Sequence, residues 1–321
     1  AGAHHRHREG DSGRPQGPTL TVDSDAVLVE GPWQHRFVAA NGARFHVSVA
    51  DGALESAPLV LFLHGFPQFW WAWRHQLTSL ADAGYRAAAM DLRGFGASDK
   101  PPRGYDTMTS AADVAGVIRS LGASEAVVIG HDLGGWIAWS MPALAPGTVR
   151  AVAAVSAAHP LETYRAYRNP RQLAGLRHVL GYQVPMRPER RLRQPVQVEH
   201  LLESWAYPGW PGEEERRRYA EAMRIPFVAH SAMEYYRWGF RSIPRQDGRR
   251  FAGAVRRAVE VPVLQINGGA DRVCLPAVAK ASSAWVAAPY RFELLDGVGH
   301  FPAEEAPDDV TKLLLGWLGG L

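Results

Sequence analysis

A single cysteine, Cys274, stands in the 321 residues, so no internal disulfide can form and the fold needs no oxidising compartment. Long apolar runs are missing as well. None approaches the roughly 20 residues that a membrane-spanning helix requires. Lysine is scarce, with 3 against 32 arginines, and the acidic residues cancel most of the basic ones to leave a net charge of +3. Charge runs mix both signs, as in Glu213-Glu214-Glu215-Arg216-Arg217-Arg218. That suits a solvated helix, whereas a nucleic-acid surface concentrates one sign. No cluster has metal-ligand spacing, and Gly94-Phe95-Gly96 is too short for a dinucleotide site. No cofactor, metal or nucleic-acid partner is therefore expected. The N-terminus has no apolar stretch of the kind that marks an intact secretory signal, and a cytoplasmic location is expected. Self-association is left open.

What is present is ordinary globular composition, 46% hydrophobic and 10% aromatic, enough to bury a large core. Residues 1–30 read as a flexible leader, rich in Gly, Pro, Ser and Asp. From residue 31 the pattern turns to short β-like runs. Trp33 to Ala39 and Ala43 to Ala50 flank Asn41-Gly42, a two-residue hairpin signal. Pro58 to Leu63, Arg86 to Met90, Glu125 to Ile129 and Arg150 to Val155 are continuous apolar runs separated by helix-length stretches. Such runs fit strands covered on both faces, and their alternation with helices means a mostly parallel, doubly wound α/β sheet. The rhythm stops near His159 and returns with Val261 to Gly268, Tyr290 to Leu295 and a final helix near Pro307 to Leu318. The expected organisation is a core of 31–158 and 249–321, interrupted by a helical lid at 159–248 over the strands' C-terminal edge.

Chemistry concentrates in Val127-Val128-Ile129-Gly130-His131-Asp132-Leu133-Gly134-Gly135. A buried strand runs through a small-residue turn into a helix, with Asp132 at the position of a nucleophile elbow. A carboxylate is ionised at neutral pH and attacks without a base, which suits displacement at saturated carbon and leaves an alkyl-enzyme ester. Hydrolysing that ester requires a base. Asp271, in the loop after Val261–Gly268, and His300, in Gly299-His300-Phe301-Pro302, follow in the order nucleophile, acid, histidine. His300 would activate water, with Asp271 orienting its ring. The N–H groups of Phe66, in His64-Gly65-Phe66-Pro67, and of Leu133 would form the oxyanion hole. In the aromatic run Phe69-Trp70-Trp71-Ala72-Trp73 most rings are expected to be packing, with Trp70 facing substrate. His131 and His159 are expected to be hydrogen-bonded structural histidines.

These segments, together with Asp91-Leu92-Arg93-Gly94-Phe95-Gly96-Ala97-Ser98, resemble the epoxide hydrolases of the α/β-hydrolase superfamily, with the fold that name implies. The likeness spans roughly residues 31 to 320, strongly in the sheet domain and weakly in the lid. It implies conversion of a lipophilic small-molecule epoxide to a vicinal diol, without a cofactor. It also implies proton donors in the lid. Glu234-Tyr235-Tyr236-Arg237 resembles the family's late lid motif and points to Tyr236, with Tyr235 as the neighbouring alternative. Gln183 and Pro185 resemble the family's Phe-Gln-x-Pro, which puts His178 at the second donor position and leaves Tyr182, one turn away, as its competitor. Haloalkane and haloacetate dehalogenases are similar throughout and form the alternative reading. Leu133, where they place Trp or Arg, and Val179 weigh against them. A non-catalytic binding module on the same fold is the alternative of another class.

Overall fold

The computed structural model describes residues 22–50 and 57–321. Among these an eight-stranded sheet is built from β1 (Trp33–Ala40), β2 (Ala43–Ala50), β3 (Leu59–Leu63), β4 (Arg86–Met90), β5 (Ala126–His131), β6 (Val149–Val155), β7 (Val263–Gly268) and β8 (Tyr290–Leu295). The spatial order is β1-β2-β4-β3-β5-β6-β7-β8, and β2 alone runs against its neighbours. Asn41 and Gly42 both take positive φ, 44° and 74°, which the right-handed twist of a two-residue hairpin demands. The continuous apolar runs end up where both faces are covered: every residue of β3, β5 and β7 is buried. The outer strands β1 and β8 are only partly buried.

The leader expectation splits. Residues 1–21 lie outside the described residues, but 22–30 are packed rather than loose. Val27 is buried, and its carbonyl accepts the Trp70 indole N–H at 2.8 Å. The Val29 carbonyl takes the Trp33 indole N–H at 2.7 Å. Trp70 is thereby corrected from a substrate residue to a core residue. It is fully buried, its ring lies edge-on to Trp33 at 5.1 Å, and its backbone N–H donates to Asp91 Oδ1 at 2.9 Å.

Asp91 closes β4 and explains the motif that follows it. Its carboxylate also accepts the Ala97 N–H at 2.9 Å and faces His46 Nδ1 at 2.8 Å, all in full burial. A Cβ at Gly96 would lie 2.1 Å from Asp91 Oδ2, and Gly96 has φ +47°, so the turn closes over the carboxylate only with glycine. Between β6 and β7 a run of short helices extends from Pro160–Ala166 to Gln246–Ala254. The last of them continues across residue 248, the boundary expected for the lid. Among the described residues no helix is long and apolar enough to cross a membrane.

Replacing Asp91 with alanine strands two backbone N–H groups and a histidine in the core. The expected loss is about 3–5 kcal/mol of stability, as for breaking a buried pair from one side. Urea denaturation checks it, and a change under 1 kcal/mol would remove Asp91 from this role.

Candidate active site

Asp132 follows β5 directly and opens the helix Asp132–Leu144 with φ +47°, a left-handed conformation uncommon for a residue with a side chain. The turn is tight enough to exclude neighbouring side chains. A Cβ at Gly130 would lie 2.2 Å from the Gly134 carbonyl oxygen, and one at Gly134 would lie 2.3 Å from that of Leu63. The strain is held by this packing, and it aims the carboxylate away from the sheet at the strands' C-terminal edge.

Around Asp132 the structure brings together groups from three loops, those that follow β3, β7 and β8. The Phe66 N–H donates to Asp132 Oδ2 at 3.1 Å. The other oxygen, Oδ1, stands 3.7 Å from His300 Nε2. His300 is fully buried, and its Nδ1 lies 3.1 and 3.0 Å from the two oxygens of Asp271. Asp271 Oδ1 in turn accepts the N–H groups of Val273 and Cys274 at 2.8 and 3.0 Å, which fixes the acid against the loop after β7. Leu133 is among the first residues of its helix, where N–H groups have no intrahelical acceptor.

The charges explain one another. Burial opposes a charge on both His300 and Asp132. Burial is the largest single influence on His300, but the Asp271 carboxylate bonded to Nδ1 and the Asp132 charge 3.7 Å from Nε2 together outweigh it and push the ring up to about 10. Asp132 is drawn down to about 2, against burial, by His300 and the Phe66 N–H. His131 beside them is pushed down to about 4, chiefly by burial. Its Nδ1 faces Gln68 Oε1 at 2.9 Å and its Nε2 meets the His300 carbonyl oxygen at 2.6 Å, so it braces the His300 loop. His159, at the other strand end, accepts the Leu161 N–H at 3.3 Å on Nδ1 and stacks on Trp285.

A cavity of about 140 Å³ opens beside Asp132 and Leu133, walled by Trp136, Tyr167, Tyr236 and Trp238 among others. Tyr235 also faces it, but its hydroxyl donates to the Arg93 carbonyl at 2.9 Å and is not free for a ligand. Tyr236 and Tyr182 lie with ring centroids 5.1 Å apart. Burial, reinforced by the Asp132 charge, raises both phenols above their ordinary range and keeps them protonated. Neither hydroxyl has a hydrogen-bond partner among the described residues.

His178 behaves differently from expectation. Its Nδ1 lies 3.0 Å from the Gly175 carbonyl oxygen, so Nδ1 carries the proton. Burial pushes the ring down to about 4 and keeps it neutral, which leaves Nε2 an acceptor. A neutral His178 in this pose cannot donate to a leaving oxygen. Sequence reasoning missed Trp205, whose ring stands edge-on to His300 at 5.3 Å and contacts His178 at 4.7 Å. Nothing in the lid's spacing distinguishes it from a packing residue.

Comparison with known proteins bears on the family and the fold. The sequence profile of the alpha/beta hydrolase fold matches residues 58–307. Epoxide hydrolase A of Mycobacterium tuberculosis is 32% identical, over 89% of this chain and 97% of that protein. Epoxide hydrolase 3 of Xenopus tropicalis is 31% identical, over 89% of this chain and 78% of that one. The crystal structure of epoxide hydrolase A from Mycobacterium thermoresistibile superposes with a TM-score of 0.77 at 27% identity, covering 90% of this chain and 99% of that one.

The raised His300 ring stabilises the fold fully below its ordinary 6.5, and this contribution is lost as pH rises through about 10. Removing the Asp132 charge with Asp132→Asn should lower the His300 pKa by about 1 to 3 pH units. Titration of the ring by NMR reads this directly, and an unchanged value would mean that Asp271 alone holds the proton.

Proposed function

Because the chain belongs to the epoxide hydrolases of the α/β-hydrolase family, we propose that it opens an epoxide to a vicinal diol with Asp132 as nucleophile. The observation that carries this reading is one carboxylate with two different oxygens: Oδ2 held by the Phe66 N–H, and Oδ1 beside His300. Oδ1 attacks an epoxide carbon, the C–O bond breaks, and the oxygen takes its proton from a lid phenol. Tyr236 and Tyr182, with free hydroxyls, are the donors in this account, and Tyr182 takes the place first expected for His178. A departing halide would make no use of a phenol proton.

Esterification removes the Asp132 charge, and with it part of what holds the extra proton on His300. The ring sheds that proton, which matches the one needed to restore the phenolate. Neutral His300, oriented by Asp271, then takes a proton from water as its oxygen adds to the ester carbonyl. Oδ2 becomes the oxyanion, stabilised by the N–H groups of Phe66 and Leu133. Collapse breaks the bond between the carbonyl carbon and the alkyl oxygen. His300 returns the proton to that oxygen, the diol leaves, and the Asp132 acid, now carrying one oxygen from water, passes its proton to His300 to restore the resting ion pair. The cavity beside Asp132 is walled largely by aromatic and aliphatic side chains, which favours a lipophilic epoxide.

Epichlorohydrin, which carries both an epoxide and a carbon–chlorine bond, tests the reaction class. Chlorinated diol without free chloride is expected. Prompt chloride release with the epoxide intact would overturn the reading in favour of dehalogenation. Asp132→Ala should abolish turnover, and His300→Gln should trap the ester as a mass adduct on the protein. Tyr236→Phe and Tyr182→Phe should each cost about 10² to 10³ in rate, as loss of an oxyanion donor does. His178→Asn should cost less than Tyr182→Phe, and the reverse order would return the donor role to His178.

A further inference from the structure

The loop that carries His300 is pinned on both sides of the ring. The His300 N–H donates to the carbonyl of Trp205 at 3.0 Å, and its own carbonyl meets His131. The N–H groups on either side are both taken by one carboxylate. Glu305 Oε2 accepts from Gly299 at 2.7 Å, and Oε1 accepts from Phe301 at 2.8 Å. The same Oε2 accepts the N–H of Tyr207 at 2.8 Å, and Tyr207 belongs to the lid segment that leaves the helix Pro195–Trp205. Glu305 has no Lys or Arg partner among the described residues. Its acceptor capacity goes to these three backbone donors. The seam is close: a Cβ at Gly299 would lie 2.4 Å from the Tyr207 nitrogen.

We propose that Glu305 is a positioning residue that latches the lid segment Trp205–Tyr207 to the His300 loop and so sets the base for the second half of the reaction. The inference rests on the two-step reading above. In that reading the alkylation step uses Asp132, the Phe66 N–H and the lid phenols, none of which Glu305 touches. The hydrolysis step needs Nε2 of His300 aimed at a water beside the ester carbonyl. A base misplaced by about 1 Å costs on the order of 10² in rate. Glutamine cannot replace the carboxylate, because its NH₂ would meet a backbone N–H on one side of the loop.

The test is Glu305→Gln in the full chain, with styrene oxide as substrate. The expected result is a fall of about 10²-fold in kcat with a matching fall in KM, leaving kcat/KM unchanged, because only the step after ester formation slows. Intact-protein mass spectrometry should show the alkyl-enzyme accumulating in the variant and not in the parent. Its formation at the parental rate also shows that the variant is folded. Gly299→Ala, which forces the seam apart while keeping the carboxylate, should give the same split. If kcat and kcat/KM fall together without an adduct, Glu305 supports the fold generally and the proposal is overturned. Unchanged kinetics overturn it too. Should Glu305→Gln not fold, Glu305→Asp carries the same comparison. An unmutated protein that makes neither diol nor adduct would fail the proposed function instead, an outcome separate from the others.

Discussion

One imidazole between two carboxylates is the constraint around which the site is arranged. His300 is fully buried, which by itself would favour a neutral ring, yet Asp271 and Asp132 together hold a proton on it. Such a triad is stable only if each carboxylate has further partners, since an unpaired buried charge costs several kcal/mol. The surrounding backbone supplies them: Phe66 to Asp132, and Val273 with Cys274 to Asp271. The strained backbone of Asp132 and the close packing at Gly130 and Gly134 serve the same end. They place Asp132 where Phe66 and His300 reach different oxygens of it.

In the proposed mechanism the arrangement also lets one residue be a cation in the resting state and a base later. A histidine held near pH 10 accepts no proton at neutrality. The covalent intermediate changes that, because esterification neutralises the carboxylate nearer to Nε2 while Asp271 continues to fix the ring from the other side. In that mechanism the covalent step switches the base on. An aspartate nucleophile has this coupling built in, whereas a serine begins neutral and has no charge to lose.

The parts of this site that the sequence reveals are those set by local geometry. The buried strand, the glycines and Asp132 lie within nine consecutive residues, because a strained strand-to-helix turn excludes most side chains. The acid and histidine loops follow strands with continuous apolar character, so they too are visible. The lid is not legible in the same way. Its helices pack on the core and on one another, and the hydrogen bond from His178 to Gly175 that fixes its tautomer depends on a three-residue turn that no spacing announces. Trp70 misleads for a related reason. It sits near the His64-Gly65-Phe66-Pro67 segment in sequence, yet its ring is buried in the core and its indole N–H binds the carbonyl of Val27, in a stretch that composition alone marks as leader.

The same distinction separates Asp132 from Glu305. A nucleophile must sit in a turn that few sequences can make, so the turn identifies it. A carboxylate that gathers three backbone N–H groups imposes no pattern on the residues that donate them, since every residue but proline has the group. Its partners here come from positions 207, 299 and 301, one of them nearly a hundred residues away. Only the folded chain shows that they converge. In a hydrolase whose lid is inserted between strands, such a contact is where the two parts meet. In the proposed reaction the donors that release the leaving oxygen stand on the lid, and the base that completes it stands on the core. The Glu305 anchor fixes the loop of the second against the lid and touches none of the first.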